Sequence, residues 1–243
     1  MNAEPAMKPE NKLALVIGQS HTEALSQALH DATTSHITVI NYNRPEGENF
    51  RKGVFNPSMV EGINPSVVVS MVSGNFHNVL GLIEYPIRFN FMNETDEESS
   101  VAVDRVNIPY NVMYDYLNTV MRQGFLRVLL QIRELYSVPV YHICSPPPHP
   151  NSEFIENNPG GYFADKVHLG VAPPHLRLKL YQLHTRVFRE FCEEHAIGFI
   201  PPPAETLDGS GFLAKPYWRR DPTHANEAYG ALVAQQIENL IEV

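Results

Sequence analysis

The chain has 243 residues, 43% hydrophobic and 19% charged, so a sizeable buried core is expected. Its net charge is −9 and it has no basic cluster longer than Arg219-Arg220. That excludes nonspecific binding to nucleic acid or an anionic membrane surface, and no apolar run is long enough to predict a transmembrane helix. Cys144 and Cys192 show no metal-ligand spacing, and no HxH or HExxH occurs. The expectation is two reduced thiols in a cytoplasmic protein, with no metal and no cofactor.

Residues 1–11 are polar, with Pro5 and Pro9, and read as a disordered lead-in to one domain over 12–243. Leu13 to Ile17 is a short apolar run closed by Gly18, the pattern of a buried parallel strand. Ala24, Leu25, Ala28 and Leu29 give helical spacing over 22–32. Ile37 to Ile40 is a β-branched strand. Residues 44–62 read as a loop with one helical turn. Val67 to Val72 repeats the buried-strand pattern and ends at Ser73-Gly74-Asn75. Residues 76–108 show no clear period and read as an insertion over the sheet's carboxyl edge. A long helix follows over 109–136, broken near Gly124, then a strand from Val138 to Ile143 stopped by three prolines. Residues 151–170 read as a loop. Pro173-Pro174 opens a helix to about His195, Ile197 to Ile200 is a strand, and 203–220 is loop. A last helix spans 225–241. Strands alternating with helices imply one parallel sheet with helices on both faces, an α/β fold.

Three stretches carry chemistry. Ser20 lies just past the carboxyl end of the first strand, where open α/β sheets place their ligands. Taken alone, such a serine is more often a helix N-cap. Asp221-Pro222-Thr223-His224 sets a carboxylate three residues before an imidazole, in a turn pinned by proline. A carboxylate there can fix the ring's tautomer, leaving its other nitrogen to take a proton from serine, whose hydroxyl is a poor nucleophile unaided. Gly74-Asn75 leaves the same sheet edge, and an amide there can donate to an oxyanion. Together they supply the parts of an acyl-transfer site. His21 and His77 adjoin Ser20 and Asn75 and are candidates to line the pocket. Trp218, beside Tyr217 and Arg219-Arg220, reads as a substrate platform or a packed loop anchor.

These stretches resemble the SGNH (GDSL-type) hydrolases over roughly residues 12 to 243. Gly18-Gln19-Ser20 stands in the place of the family's Gly-Asp-Ser, and Ser73-Gly74-Asn75-Phe76 in that of its Gly-x-Asn-Asp motif. Asp221-Pro222-Thr223-His224 is a full match to Asp-x-x-His, with Asn226 and Tyr229-Gly230 also familiar. Gln19 and Phe76 stand where the family has Asp. The resemblance implies a three-layer α/β/α, flavodoxin-like fold of about five parallel strands, and chemistry without a metal. It implies Ser20 as nucleophile, His224 as base and Asp221 as its orienter. The oxyanion would be held by the backbone N–H groups of Ser20 and Gly47 and by the Asn75 side chain. Gly47 lies six residues past Asn41, a spacing similar to the family's, and Gly53 is the alternative. The expected activity is that of a serine esterase or deacylase on a small or carbohydrate-linked ester, with no nucleic-acid or membrane partner. An acyltransferase using the same acyl-enzyme, and a catalytically silent ligand-binding module, are the other readings.

Overall fold

A computed structural model describes residues 12–30, 36–44, 54–72, 74–92 and 104–242. Five strands form one sheet: β1 (Ala14–Gly18), β2 (Ile37–Asn41), β3 (Val67–Met71), β6 (Val140–Ile143) and β7 (Gly198–Ile200), in the order β2-β1-β3-β6-β7. Every pairing is parallel. The carboxyl ends of β1, β3 and β6 therefore share one edge, which brings Ser20, Asn75 and Ser145 to the same rim. Strand β6 starts two residues later than its apolar run, past Pro139, which has no N–H to give the ladder.

Side-chain alternation along the strands builds two cores. Leu15, Ile17, Val68 and Val72 face a cluster with α3 (Tyr110–Gln123), α4 (Leu126–Leu135) and α7 (Pro174–Glu194). Ala14, Val16, Val67, Val69 and Met71 face the opposite layer, α1 (Thr22–His30) and α8 (Glu227–Glu242). The fold is thus the three-layer α/β/α sandwich, with the strand order of flavodoxin-like sheets. The long helical pattern over 109–136 is two helices divided at Gly124. Helix α8 starts two residues later than its apolar spacing predicts, because Asn226 Oδ1 accepts the N–H of Tyr229 in the first turn (3.2 Å). Helices α1 and α8 pack together so closely that a Cβ on Gly230 would lie 2.0 Å from the carbonyl oxygen of Ala24. No described helix is long and apolar enough to cross a membrane.

Two segments differ from their expected form. Residues 151–170 are not plain loop: they hold α5 (Ser152–Asn157), α6 (Gly160–Phe163) and a single 3-10 turn, Val167–Leu169. Asn151 caps α5 by accepting the N–H of Phe154 (2.8 Å). The 203–220 stretch likewise holds two 3-10 turns, Ala204–Thr206 and Lys215–Tyr217. Within 76–108 lie α2 (Phe76–Gly81) and a two-stranded parallel ribbon of β4 (Phe89–Phe91) and β5 (Val106–Ile108). The segment from α2 to Met92 and the segment of α5 and α6 pack on each other as a cap. Leu82, Ile83, Ile155 and Phe163 share a small apolar core, and Ile83 bridges Val171. A buried ion pair of Arg105 with Glu84 ties β5 to the segment after α2. The guanidinium of Arg177, itself buried, donates to the carbonyls of His149 (3.2 Å), Pro150 (2.7 Å) and Ala172, clamping the cap to α7.

Candidate active site

The turn between β1 and α1 presents Ser20. Thr22 donates its hydroxyl to the Gln19 carbonyl (2.7 Å), and the Glu23 N–H bonds to the Ser20 carbonyl (3.1 Å). The Ser20 hydroxyl is 2.8 Å from His224 Nε2. His224 Nδ1 is 2.9 Å from Asp221 Oδ1. The same carboxylate oxygen accepts the backbone N–H groups of His224 (3.0 Å) and Thr223 (2.9 Å) and the Thr223 hydroxyl (3.1 Å). Burial of Asp221 would raise its pKa. The hydrogen bond and charge of His224, with the two donors from Thr223, outweigh this and hold the carboxyl well below the usual range. Asp221 is therefore a fixed anion, and its contact defines Nδ1 as the protonated nitrogen and leaves Nε2 to accept from Ser20. Arg219 Nε stands 3.7 Å from the other carboxylate oxygen, and Arg219 in turn pairs with Glu23 on α1 (3.0 Å).

Asn75 sits at the entry to α2 without capping it. Its Oδ1 accepts from Asn78 Nδ2 (2.7 Å), so the amino group is the end of the amide left to donate. Gly74 is enforced by contact: a Cβ there would fall 2.3 Å from Ser145 Cβ and 3.1 Å from His21 Cδ2. The loop that carries Asn75 thus lies directly against the residue that follows Ser20. Gln19 reaches the loop after β2, with Nε2 3.4 Å from Asn43 Oδ1. Gly47, Gly53 and Ser73 lie outside the described residues.

His21 and His77 are both buried, at 7% and 2% exposure, so neither forms an open pocket wall. The His21 ring packs beside His224, with centroids 5.0 Å apart. His77 packs on Tyr181 and His184, both at 5.1 Å. Farther in, His142 on β6 stacks on Phe188 (4.2 Å), with its Nδ1 3.3 Å from Ser70 Oγ on β3. Burial, then the neighbouring His224, lowers the His21 pKa to about 3. Burial, then His184, lowers that of His142 to about 3, and His77 is held well below 6.5 by burial and His184. Neutral imidazoles thus back the site. Trp218 is packed as an anchor: its indole N–H donates to the Leu213 carbonyl (2.7 Å) and its ring lies on His149 (3.9 Å) and Phe154 (5.4 Å). No group of three or more His, Cys, Asp or Glu among the described residues is placed to hold a metal.

Thr223, Asn78 and Glu23, and the partner that Arg219 finds, escaped the reading of the sequence. Thr223, an unspecified position in Asp-x-x-His, adds two donors to Asp221. Asn78, one helical turn after Asn75, holds its amide, and the Asn-x-x-Asn spacing at a helix start is the signal for it. Glu23 and Arg219 form a bridge across 196 residues that no local pattern announces.

No family model matches the chain, and none of the curated proteins does. Solved structures do. A protein assigned as an acylhydrolase from Bacteroides fragilis superposes with a TM-score of 0.50 at 13% identity, over 98% of this chain and 90% of its own. A GDSL-like lipase from Bacteroides thetaiotaomicron gives 0.49 at 13% identity, over 99% and 92%. A carbohydrate acetylesterase family member from Sinorhizobium meliloti gives 0.48 at 13% identity, over 95% and 97%. At this identity the likeness, carried by the first of these, is one of fold.

Proposed function

We propose that this chain, built on the SGNH-hydrolase fold, is a serine hydrolase of carboxylic esters that works through an acyl-enzyme on Ser20. The observation that carries this reading is the continuous contact Ser20–His224–Asp221, at 2.8 and 2.9 Å. Ser20 Oγ attacks the ester carbonyl carbon while His224 Nε2 takes its proton. The tetrahedral oxyanion is held by the Ser20 backbone N–H and the Asn75 amino group. Collapse breaks the bond to the alcohol oxygen, which receives the proton from His224. Water then attacks the acyl carbon, gives its proton to His224 and returns Ser20 with the free acid. Asp221 holds the ring and offsets the charge it gains. No cofactor enters these steps. A sugar hydroxyl as the alcohol fits the scheme, as does a small alcohol.

In a silent binding module Ser20 and His224 need not touch, so their contact favours the enzyme. An acyltransferase shares the first half-reaction, and product analysis with an alcohol acceptor separates it from a hydrolase. The test is hydrolysis of p-nitrophenyl acetate with fluorophosphonate labelling. The native protein should turn over and be labelled, and Ser20→Ala should lower kcat/KM by about 10³-fold or more with an unchanged melting temperature. An unlabelled native protein without esterase activity sinks the reading.

A further inference from the structure

The loop of residues 219–224, which carries Asp221 and His224, is fixed at its base. Trp218 bridges Ala225, the Asn226 N–H donates to the Tyr217 carbonyl (3.0 Å), and Asn226 Nδ2 donates to the carbonyls of Pro216 (2.8 Å) and Trp218 (3.2 Å). Within the loop, one oxygen of Asp221, Oδ1, takes the four donors of Thr223 and His224. Those bonds set the carboxylate against its own turn, and none of them reaches the Ser20 turn. The other oxygen, Oδ2, begins a contact that does. Arg219 Nε stands 3.7 Å from it, an ion-pair distance too long for a hydrogen bond.

While Nε of Arg219 faces Asp221, its Nη1 donates to Glu23 Oε2 on α1 (3.0 Å). Glu23 follows Ser20 by three residues, and its N–H bonds to the Ser20 carbonyl (3.1 Å). The other oxygen of Glu23 takes Arg44, just past β2, at 2.8 Å. One guanidinium thus spans from the turn that presents the serine to the loop that presents the imidazole. Arginine suits this place, because its planar fork holds donors in fixed directions and its charge is permanent. It also stands between two carboxylates, Glu23 and Asp221, that would otherwise repel each other. Folding stability does not account for the bridge. The side chains of Arg219 and Glu23 are 32% and 19% exposed, and ion pairs this open to water contribute little.

We propose that Arg219, anchored by Glu23, is a positioning residue for ester hydrolysis that holds the Asp221–His224 loop in place against the Ser20 turn. This rests on the reading of Ser20 as nucleophile and His224 as base. The bridge has an electrostatic consequence as well. The groups around the His224 ring are Asp221 in its own loop, Arg219 behind that carboxylate, and the His21 ring from the start of α1, which burial keeps neutral. Arg219 opposes a positive charge on His224 directly, and it draws on the Asp221 charge that favours one. Arg44 lies one carboxylate farther out with its side chain 73% exposed, so solvent screens it from the ring.

The test has a catalytic and a non-catalytic arm. Turnover of p-nitrophenyl acetate is followed across pH, with melting temperatures, for Arg219→Gln, Glu23→Gln, their double variant, Arg219→Lys and Arg44→Gln. Arg219→Gln should lower kcat about tenfold with KM within about twofold. It should also move the acid limb of kcat/KM up by about half a pH unit, since the imidazolium then forms more easily, at an unchanged melting temperature. Glu23→Gln should lower kcat less, and the double variant should be no slower than Arg219→Gln, because Glu23 acts through Arg219. Arg219→Lys keeps the charge without the fork, so it should restore the acid limb but not the full kcat. Arg44→Gln, which loses a contact to Glu23 alone, should stay within about twofold of the native rate. The second arm needs no turnover: in Ser20→Ala protein, the NMR titration midpoint of the His224 ring should rise by about half a pH unit when Arg219→Gln is added. That rise in a protein inert to every ester supports the positioning role and removes the esterase reading. Native ester turnover in Arg219→Gln with an unmoved acid limb overturns the role and leaves the esterase reading intact. A kcat loss that comes with a lower melting temperature and an unmoved acid limb makes the bridge structural and overturns it as well. Additive losses from Glu23→Gln and Arg219→Gln overturn the part assigned to Glu23.

Discussion

The layer of α1 and α8 and the cap over residues 76–92, 104–108 and 151–172 are held together by different means. Helices α1 and α8 bury a continuous apolar face against β1 and β3, and they meet each other at Gly230 and Ala24. Ser20 lies in the turn just before α1 (Thr22) and His224 three residues before α8 (Glu227), so a contact across 204 residues is set by the packing of two helices. The cap has only a small apolar core of its own. Its strands are three residues long, and it depends on buried polar clamps, Arg105 with Glu84 and Arg177 with three carbonyls. Area burial is distributed and tolerates small losses. A buried ion pair is not, since removing one partner strands the other charge away from water.

That contrast can be broken from either side. The largest effect is expected at the Asp221–His224 turn. Asp221→Asn should lower ester turnover by about 10³- to 10⁴-fold, because an amide offers no charge to the imidazolium and permits the wrong tautomer. Far-UV circular dichroism should be unchanged, and turnover within tenfold of the native value would refute the role. Next comes Glu84→Ala, which leaves the half-buried Arg105 guanidinium without its carboxylate and with the Phe89 carbonyl as its remaining acceptor, at a cost of about 3 kcal/mol. Hydrogen exchange should show the loss over β4 and β5 first, with α1 and α8 still protected. Uniform loss across the chain would mean that the cap and the sandwich are one cooperative unit.

Gly230→Ala probes the sandwich itself. Overpacking against Ala24 should cost about 1–3 kcal/mol and lower turnover by shifting His224 against Ser20. An unchanged melting temperature and rate would show that α1 and α8 can slide apart freely. The smallest effect, per unit of pH, belongs to the buried histidines. His21 and His142 have folded pKa values near 3, below the unfolded value of 6.5. Above pH 6.5 neither state holds the proton and they contribute nothing. As pH falls from 6.5 toward 3 the unfolded chain binds protons that the folded chain refuses, so stability falls by up to about 1.4 kcal/mol per pH unit for each group. His142→Phe, measured by urea unfolding at pH 7 and pH 5, should show a shallower acid loss than the native chain. An equal slope would mean that His142 already titrates normally in the fold.

The same division governs what could be read from the sequence. Strands β1 and β3 are uninterrupted apolar runs because both of their faces are covered, and α7 repeats its apolar residues over 21 positions. Asp221 and His224 were readable because their contact is local, three residues apart. The cap was opaque for a physical reason. Helices α2, α5 and α6 have six, six and four residues, too short for a 3.6-residue period to repeat, and their support comes from partners far along the chain. Adjacency also misled. His21 follows Ser20 in sequence, yet the start of α1 turns its ring beneath the site, where it contacts His224 from behind. The bilateral contacts of Trp218 with His149 and Phe154 likewise needed α5 in place before they could be seen.

The weakly basic imidazoles behind His224 have a bearing on where protons travel. In the mechanism proposed above, His224 takes the proton of Ser20, and the ring packed beside it, His21, has a pKa lowered by burial to about 3, which makes it a far poorer acceptor than an ordinary histidine. His77 and His142, deeper still, are no better. These three buried rings are thus poor resting places for that proton. In the proposed mechanism the proton therefore leaves from Nε2, outward, to the oxygen of the departing alcohol.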